Sequence, residues 1–89
     1  MKLVVTIVGK DRVGIIAMVS NILAENNVNI LSINQNIMDG FFNMVMIAEI
    51  TESKMKLQEL QKLLSERGKE INVEIKAQHQ DIFSVMHNI

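Results

Sequence analysis

Eighty-nine residues carrying a formal charge of −1, 48% apolar side chains, four glycines, no proline and no cysteine make one domain, with no room for a second core. The missing cysteines exclude disulfides, thiolate chemistry and Cys-based metal sites. Nine scattered Lys and Arg without Trp or Tyr exclude a basic, base-stacking nucleic-acid face, and every apolar run falls far short of the ~20 residues a membrane span needs. Met1 leads into a strand pattern, not into a basic segment with a cleavable apolar stretch, so no signal peptide is expected and the reading is a cytoplasmic protein.

Lys2 to Val8 predicts a strand. Leu3, Val5 and Ile7 point to one face and Val4, Thr6 and Val8 to the other, so the strand is apolar on both sides and belongs inside a sheet. It runs into Gly9-Lys10-Asp11-Arg12-Val13-Gly14-Ile15, after which the apolar period becomes helical. Asp11 is the expected N-cap, its carboxylate suited to the positive end of a helix. Ile15, Val19, Ile22 and Leu23 form the buried stripe, supported by Ile16 and Met18. The helix should stop at Glu25-Asn26-Asn27, where Asn tolerates the left-handed conformation.

Val28–Met38 and Phe41–Ile50 flank Asp39-Gly40. A two-residue Asp-Gly link between β-rich runs predicts a type I′ hairpin, because that turn needs positive φ twice. The turn fixes the register, with Met38 facing Phe41, Gln35 facing Met44 and Ile33 facing Met46. Leu31, Ile33, Gln35, Ile37, Phe42, Met44, Met46 and Ala48 then line the core face. Ser32, Asn34, Asn36, Asn43, Val45 and Ile47 line the other. Ser53 is the expected cap of a second helix with Leu57, Leu60, Leu63 and Leu64 buried, ended by Gly68 as a C′ glycine. Glu70–Gln78 alternates, with Ile71, Val73, Ile75 and Ala77 inward, as an edge strand does. A short helix starting at Asp81 is expected to close the chain, with Ile82, Phe83, Met86 and Ile89 docking back onto the body.

This order predicts an α+β fold, the ferredoxin-like βαββαβ sandwich. Right-handed crossovers put both main helices on one face of a four-stranded antiparallel sheet of order 4-1-3-2, with an extra C-terminal helix. The helix-free face would show Val4, Val8, Val45 and Ile47, and an uncovered apolar face in a small domain predicts a homodimer.

The loop after the first strand is the candidate site, because backbone N–H groups at a helix start receive a carboxylate or another small anion. Each residue also has a plain structural reading. Asp11 caps a helix, Gly14 lets a helix pack closely, and Asn29 bonds its own turn. Gln35 is a buried amide that must find partners, and Arg12 rests in solvent. His79 and His87, eight residues apart, cannot chelate one ion on a terminal helix. No metal site, cofactor site or catalytic constellation emerges.

Asp11-Arg12-Val13-Gly14-Ile15 entering the first helix, and Val28-Asn29-Ile30 entering the second strand, resemble the ACT domain. Those domains are small ferredoxin-like regulatory modules that typically bind amino acids and pair into dimers. The resemblance spans residues 1–78 of a single domain over 1–89, and is closest to stand-alone bacterial and archaeal ACT proteins. It extends to the ACT modules of glycine-cleavage regulators and formyltetrahydrofolate deformylase. The tail, 79–89, looks like the C-terminal helix of the stand-alone group. The resemblance implies an amino-acid ligand at a subunit interface, between the first loop of one chain and the second strand of another. Asp11, Gly14 with its backbone N–H, and Asn29 would be the principal contacts, with Arg12, Val13, Ile15 and Ile30 beside them. One departure is Gly9, where the amino-acid-inhibited dehydrogenase version carries a ligand-holding histidine.

The function this implies is a dimeric, small-molecule-sensing module, with no catalysis, that changes the behaviour of a partner protein. The alternative is a ligand-free dimerisation or docking module. Small ferredoxin-like hydrolases such as acylphosphatases also use an Arg after the first strand. The rest of their phosphate loop is missing here, and no second catalytic group is placed.

Overall fold

The computed structural model describes residues 1–10, 13–50 and 56–80. Six elements follow in the predicted order: β1 (Lys2–Lys10), α1 (Ile15–Glu25), β2 (Val28–Met38), β3 (Phe41–Ile50), α2 (Leu57–Glu70) and β4 (Val73–His79). The sheet order is β2-β3-β1-β4, all neighbours antiparallel. It is the ferredoxin-like sandwich. The two strands that are apolar on both faces, β1 and β3, occupy the centre.

The core lies between one face of the sheet and the two helices. Leu3, Val5 and Ile7 from β1 and Met44, Met46 and Ala48 from β3 meet Ile15, Val19 and Leu23 of α1 and Leu60 and Leu64 of α2. Both helices end alike. The chain passes through a left-handed Asn, Asn27 (φ 59) after α1 and Asn72 (φ 58) after α2, and a buried Val opens the next strand. Asn26 also turns its side-chain amide back onto the Ile22 carbonyl at 2.8 Å, occupying one of the carbonyls a helix end leaves unpaired. The hairpin is as expected: Asp39 and Gly40 take φ of 52° and 80°, and Met38 pairs with Phe41, Gln35 with Met44 and Ile33 with Met46.

Several expectations are corrected. The N-cap of α1 is Gly14, not Asp11, so the helix starts later than the Asp suggests. Helix α2 starts after Lys56, whose side chain makes no capping hydrogen bond; Ser53 lies outside the described residues. Gly68 does not end α2. It is buried within it, where a Cβ would stand 2.6 Å from the Val73 carbonyl oxygen. The helix consumes Glu70, and Ile71 and Asn72 turn the chain, so β4 begins only at Val73. His79 closes β4 instead of opening a helix; residues 81–89, including His87, lie outside the described set.

The largest correction is in β2. Pairing follows the hairpin register from Met38 back to Ser32, then slips: Ser32 faces Ile47 but Ile30 faces Ala48, leaving Leu31 in a bulge. The slip turns Val28 and Ile30 inward and Asn29 outward, because one extra residue inverts every side chain beyond it. β2 also overhangs the helices. Leu31, Ile33 and Ile37 are each about half exposed and Gln35 is exposed too, so the amide expected to be buried is wet. On the helix-free face Val8 and Val45 are open, whereas Val4, flanked in register by Ile47 and Gln78, is buried.

Candidate functional site

The loop between β1 and α1 follows from a change in backbone demand. Gly14 sits at φ 96°, in left-handed space, with no atom near the position of a Cβ. Its role is therefore conformational, in place of the close packing expected from sequence. Its carbonyl accepts the first helical hydrogen bond, from the Met18 N–H at 2.9 Å. Gly14 offers no capping side chain, and no acidic residue lies in the first turn of the helix. Among the described residues, the first amide groups of α1 thus meet neither a capping side-chain oxygen nor a carboxylate, the groups that commonly neutralise a helix start.

The seven candidate residues divide. Asp11 and Arg12 lie outside the described residues. Val13 is fully exposed, at 100%. Ile15 contributes only backbone to the loop, since its side chain is buried in the core. Ile30 faces the helix side, half-buried against the core. Asn29 is exposed on the opposite, helix-free side, paired with Glu49.

The loop and Asn29 are not neighbours. Lys2 and Asn29 both face Glu49 across β3, so Asn29 is level with the start of β1. The loop follows the other end, about 26 Å further along at roughly 3.3 Å per residue. Residues that sequence reading did not assign to the loop end are Ile16, Met38 and Phe41, all substantially exposed; Phe41 pairs with Lys10, the last residue of β1. The signal for Ile16 was its doubling of the buried Ile15, which forces one of the two outward. Gly9 has its own explanation. A Cβ there would stand 2.7 Å from Val73 Cγ1 and 3.0 Å from the Asn72 carbonyl oxygen, so β4 packs where a histidine would need space.

The chemistry that the described candidate residues offer at these two separate places is amide chemistry: backbone N–H groups at the start of α1 and the Asn29 carboxamide. Among the described residues no group of three His, Asp or Glu stands together to hold a metal, and no helix is long and apolar enough to cross a membrane.

Comparison with known proteins agrees with this architecture. The sequence model of the ACT domain matches residues 1–78. A UPF0237 protein of Clostridium perfringens is 49% identical over 89 residues, covering all of both chains. Among solved structures, an ACT domain protein from Streptococcus pneumoniae superposes with a TM-score of 0.81 at 36% identity, covering 93% of each chain. A formyltetrahydrofolate deformylase from Pseudomonas syringae superposes at 0.78 with 25% identity, over 88% of this chain and 27% of the deformylase.

Proposed function

Since the chain belongs to the ACT domain family, we propose that it is a regulatory module that binds a small molecule, an amino acid, at a site two copies build together. One observation carries this reading: the loop and Asn29 lie at opposite ends of a single chain, because β1 and β2 run parallel. An antiparallel pairing of two copies along β2 brings the loop of one toward Asn29 of the other. The ligand carboxylate then meets the first amides of α1 and the Gly14 N–H, and its ammonium meets the Asp11 carboxylate and the Asn29 carbonyl. Arg12, Val13 and Ile30 flank the ligand. Nothing in this arrangement abstracts a proton or forms a covalent bond, so the output is a change in affinity for a cytoplasmic partner protein, not turnover.

The full exposure of Val13, with Ile16 beside it, favours a second reading, in which this end of the molecule docks on a partner protein and no ligand is bound. Thermal unfolding with each of the twenty amino acids separates the two. Ligand at 100 times its dissociation constant stabilises by about 2.7 kcal/mol, a readily measured shift, and Asn29→Ala should abolish it while leaving the ligand-free midpoint in place. No shift with any amino acid would refute the ligand-binding reading.

A further inference from the structure

Backbone pairing decides which groups the outer edge of β4 presents. In a two-residue hairpin the pair flanking the turn, here Met38 and Phe41, exchanges both hydrogen bonds, and alternate pairs follow. Phe41 thus bonds β2, and Phe42 bonds Gly9 of β1, its partner in register. The other end of β3 agrees, since the Ile50 N–H donates to the Met1 carbonyl at 2.9 Å. Thr6 and Val8 of β1 then bond Lys76 and Glu74 of β4. Val73, Ile75 and Ala77 are left with their N–H and C=O groups aimed away from the sheet.

Helix α2 runs alongside this edge. Gly68 stands over the Val73 carbonyl, where a Cβ would come within 2.6 Å of the oxygen. Two turns earlier, Gln61 donates from Nε2 to the Ala77 carbonyl at 2.6 Å, the bond that an N–H of an added strand would make. Among the described residues no side chain bonds the Ile75 groups between them. Here a groove of about 240 Å³ opens, lined by Gln61 and Ser65 of α2 and by the consecutive strand residues 75–78. Successive side chains of a strand point to opposite faces, so a wall of consecutive residues is backbone edge. The rim is basic. At about 100° per residue, Lys69 and Lys62 follow Ser65 round the outer flank of α2, with Glu59, Glu66 and Glu70 further round toward solvent. Lys76, on the strand, is over half exposed and rests on Glu74 at 3.3 Å.

We propose that this groove receives a short extended segment of a partner protein, rich in Asp and Glu, which adds to β4 as a fifth strand. This rests on the reading above that the output is affinity for a partner protein, and it names the surface and the partner's chemistry. A strand edge can take an extended peptide through main-chain hydrogen bonds, with side-chain contacts supplying the choice. Ile75 offers the incoming chain one donor and one acceptor. Gln61 is a placeholder: its amide keeps the Ala77 carbonyl paired until a backbone N–H of the segment replaces it. An edge with no such cover would pair indiscriminately. Charge supplies the selection, because a carboxylate on the added strand opposite Lys76 competes with Glu74 for its ammonium, and Lys62 and Lys69 meet further carboxylates along the rim. β4 is the sheet edge remote from β2, so a segment bound here leaves Asn29 uncovered.

The test uses the full chain. Decapeptides are selected on it from a random display library, and the strongest binder is synthesised and titrated into isotope-labelled protein observed by NMR. The expected binder is rich in Asp and Glu and shifts the backbone amide signals of Ile75 and Ala77 together with the side-chain amide of Gln61. Gln61→Ala uncovers the Ala77 carbonyl and should tighten binding by roughly two- to ten-fold, the net worth of one hydrogen bond. Lys76→Glu should weaken it. A Gln61 that only holds α2 to β4 would lower the melting temperature when replaced and leave the affinity for the peptide where it was. No binder, a binder that leaves the β4 signals unmoved, or a Gln61→Ala protein that binds no tighter overturns the assignment. If an amino acid still raises the melting temperature of the parent in that case, the regulatory reading stands and only the surface is wrong; if none does, both fall.

Discussion

Gly68→Ala sets two well-known magnitudes against each other with opposite signs. Gly in a helix interior is about 1 kcal/mol less favourable than Ala, and Gly68 lies inside α2 with Lys69 and Glu70 still helical beyond it. Propensity alone therefore predicts stabilisation by about 1 kcal/mol. The structure predicts the reverse. The new methyl would stand 2.6 Å from the Val73 carbonyl oxygen and 3.1 Å from Ile75 Cγ1, and the first of these is backbone that no rotamer change can move. Relief requires α2 to lift from β4 by several tenths of an ångström, loosening Leu60 and Leu64, both almost fully buried. Overpacking of this kind costs about 1–3 kcal/mol. The net expectation is destabilisation by about 1 kcal/mol, a fall in melting temperature of roughly 4–8 °C for a domain of this size. Urea unfolding at one fixed protein concentration measures it, since association adds to apparent stability. An unchanged urea slope would show that the native state stays compact. A Gly68→Ala protein more stable than the parent by about 1 kcal/mol would refute the packing argument.

Gly14→Ala meets no steric obstacle, yet forces an L-residue to φ 96°, so a loss of about 1–2 kcal/mol is expected from backbone strain alone; in urea unfolding, a neutral result would mean that the left-handed turn is absent. Leu64→Ala, at a fully buried position, should cost about 2–5 kcal/mol and leave a domain this small largely unfolded at 37 °C by circular dichroism.

How much of this could be read in the chain is decided residue by residue. β1 and β3 announce themselves as central strands because both their faces are apolar. Asp39-Gly40 specifies its turn because few other pairs accept positive φ twice. The misreadings share one cause, which is that a residue suited to a local role was outcompeted by tertiary structure. Asp11 is a good cap, but Gly14 alone accepts the angle at which the chain enters α1. Gly68 looks like a terminator, but its smallness serves the contact with β4, which local pattern does not reveal. The bulge left a faint mark, the adjacent apolar pair Ile30-Leu31, across which the apolar positions change from 28 and 30 to 31 and 33. The loop and Asn29 were legible as candidates, and the strand directions put them at opposite ends of one chain. Gln35 was misplaced because its face was assigned correctly while the reach of the helices over that face was not.

The bulge at Leu31 also bears on how this chain tolerates change in length. Excising almost any residue from a paired strand inverts every side chain on one side of the cut. Excising Leu31 inverts none, because the slip already separates Ile30, opposite Ala48, from Ser32, opposite Ile47. Val28 and Ile30 would stay inward and Asn29 outward. What would vanish is the irregularity in the outer edge, which would then run unbroken from Val28 to Met38. Leu31 is thus a residue of β2 whose removal leaves the inward and outward sides of the strand as they are.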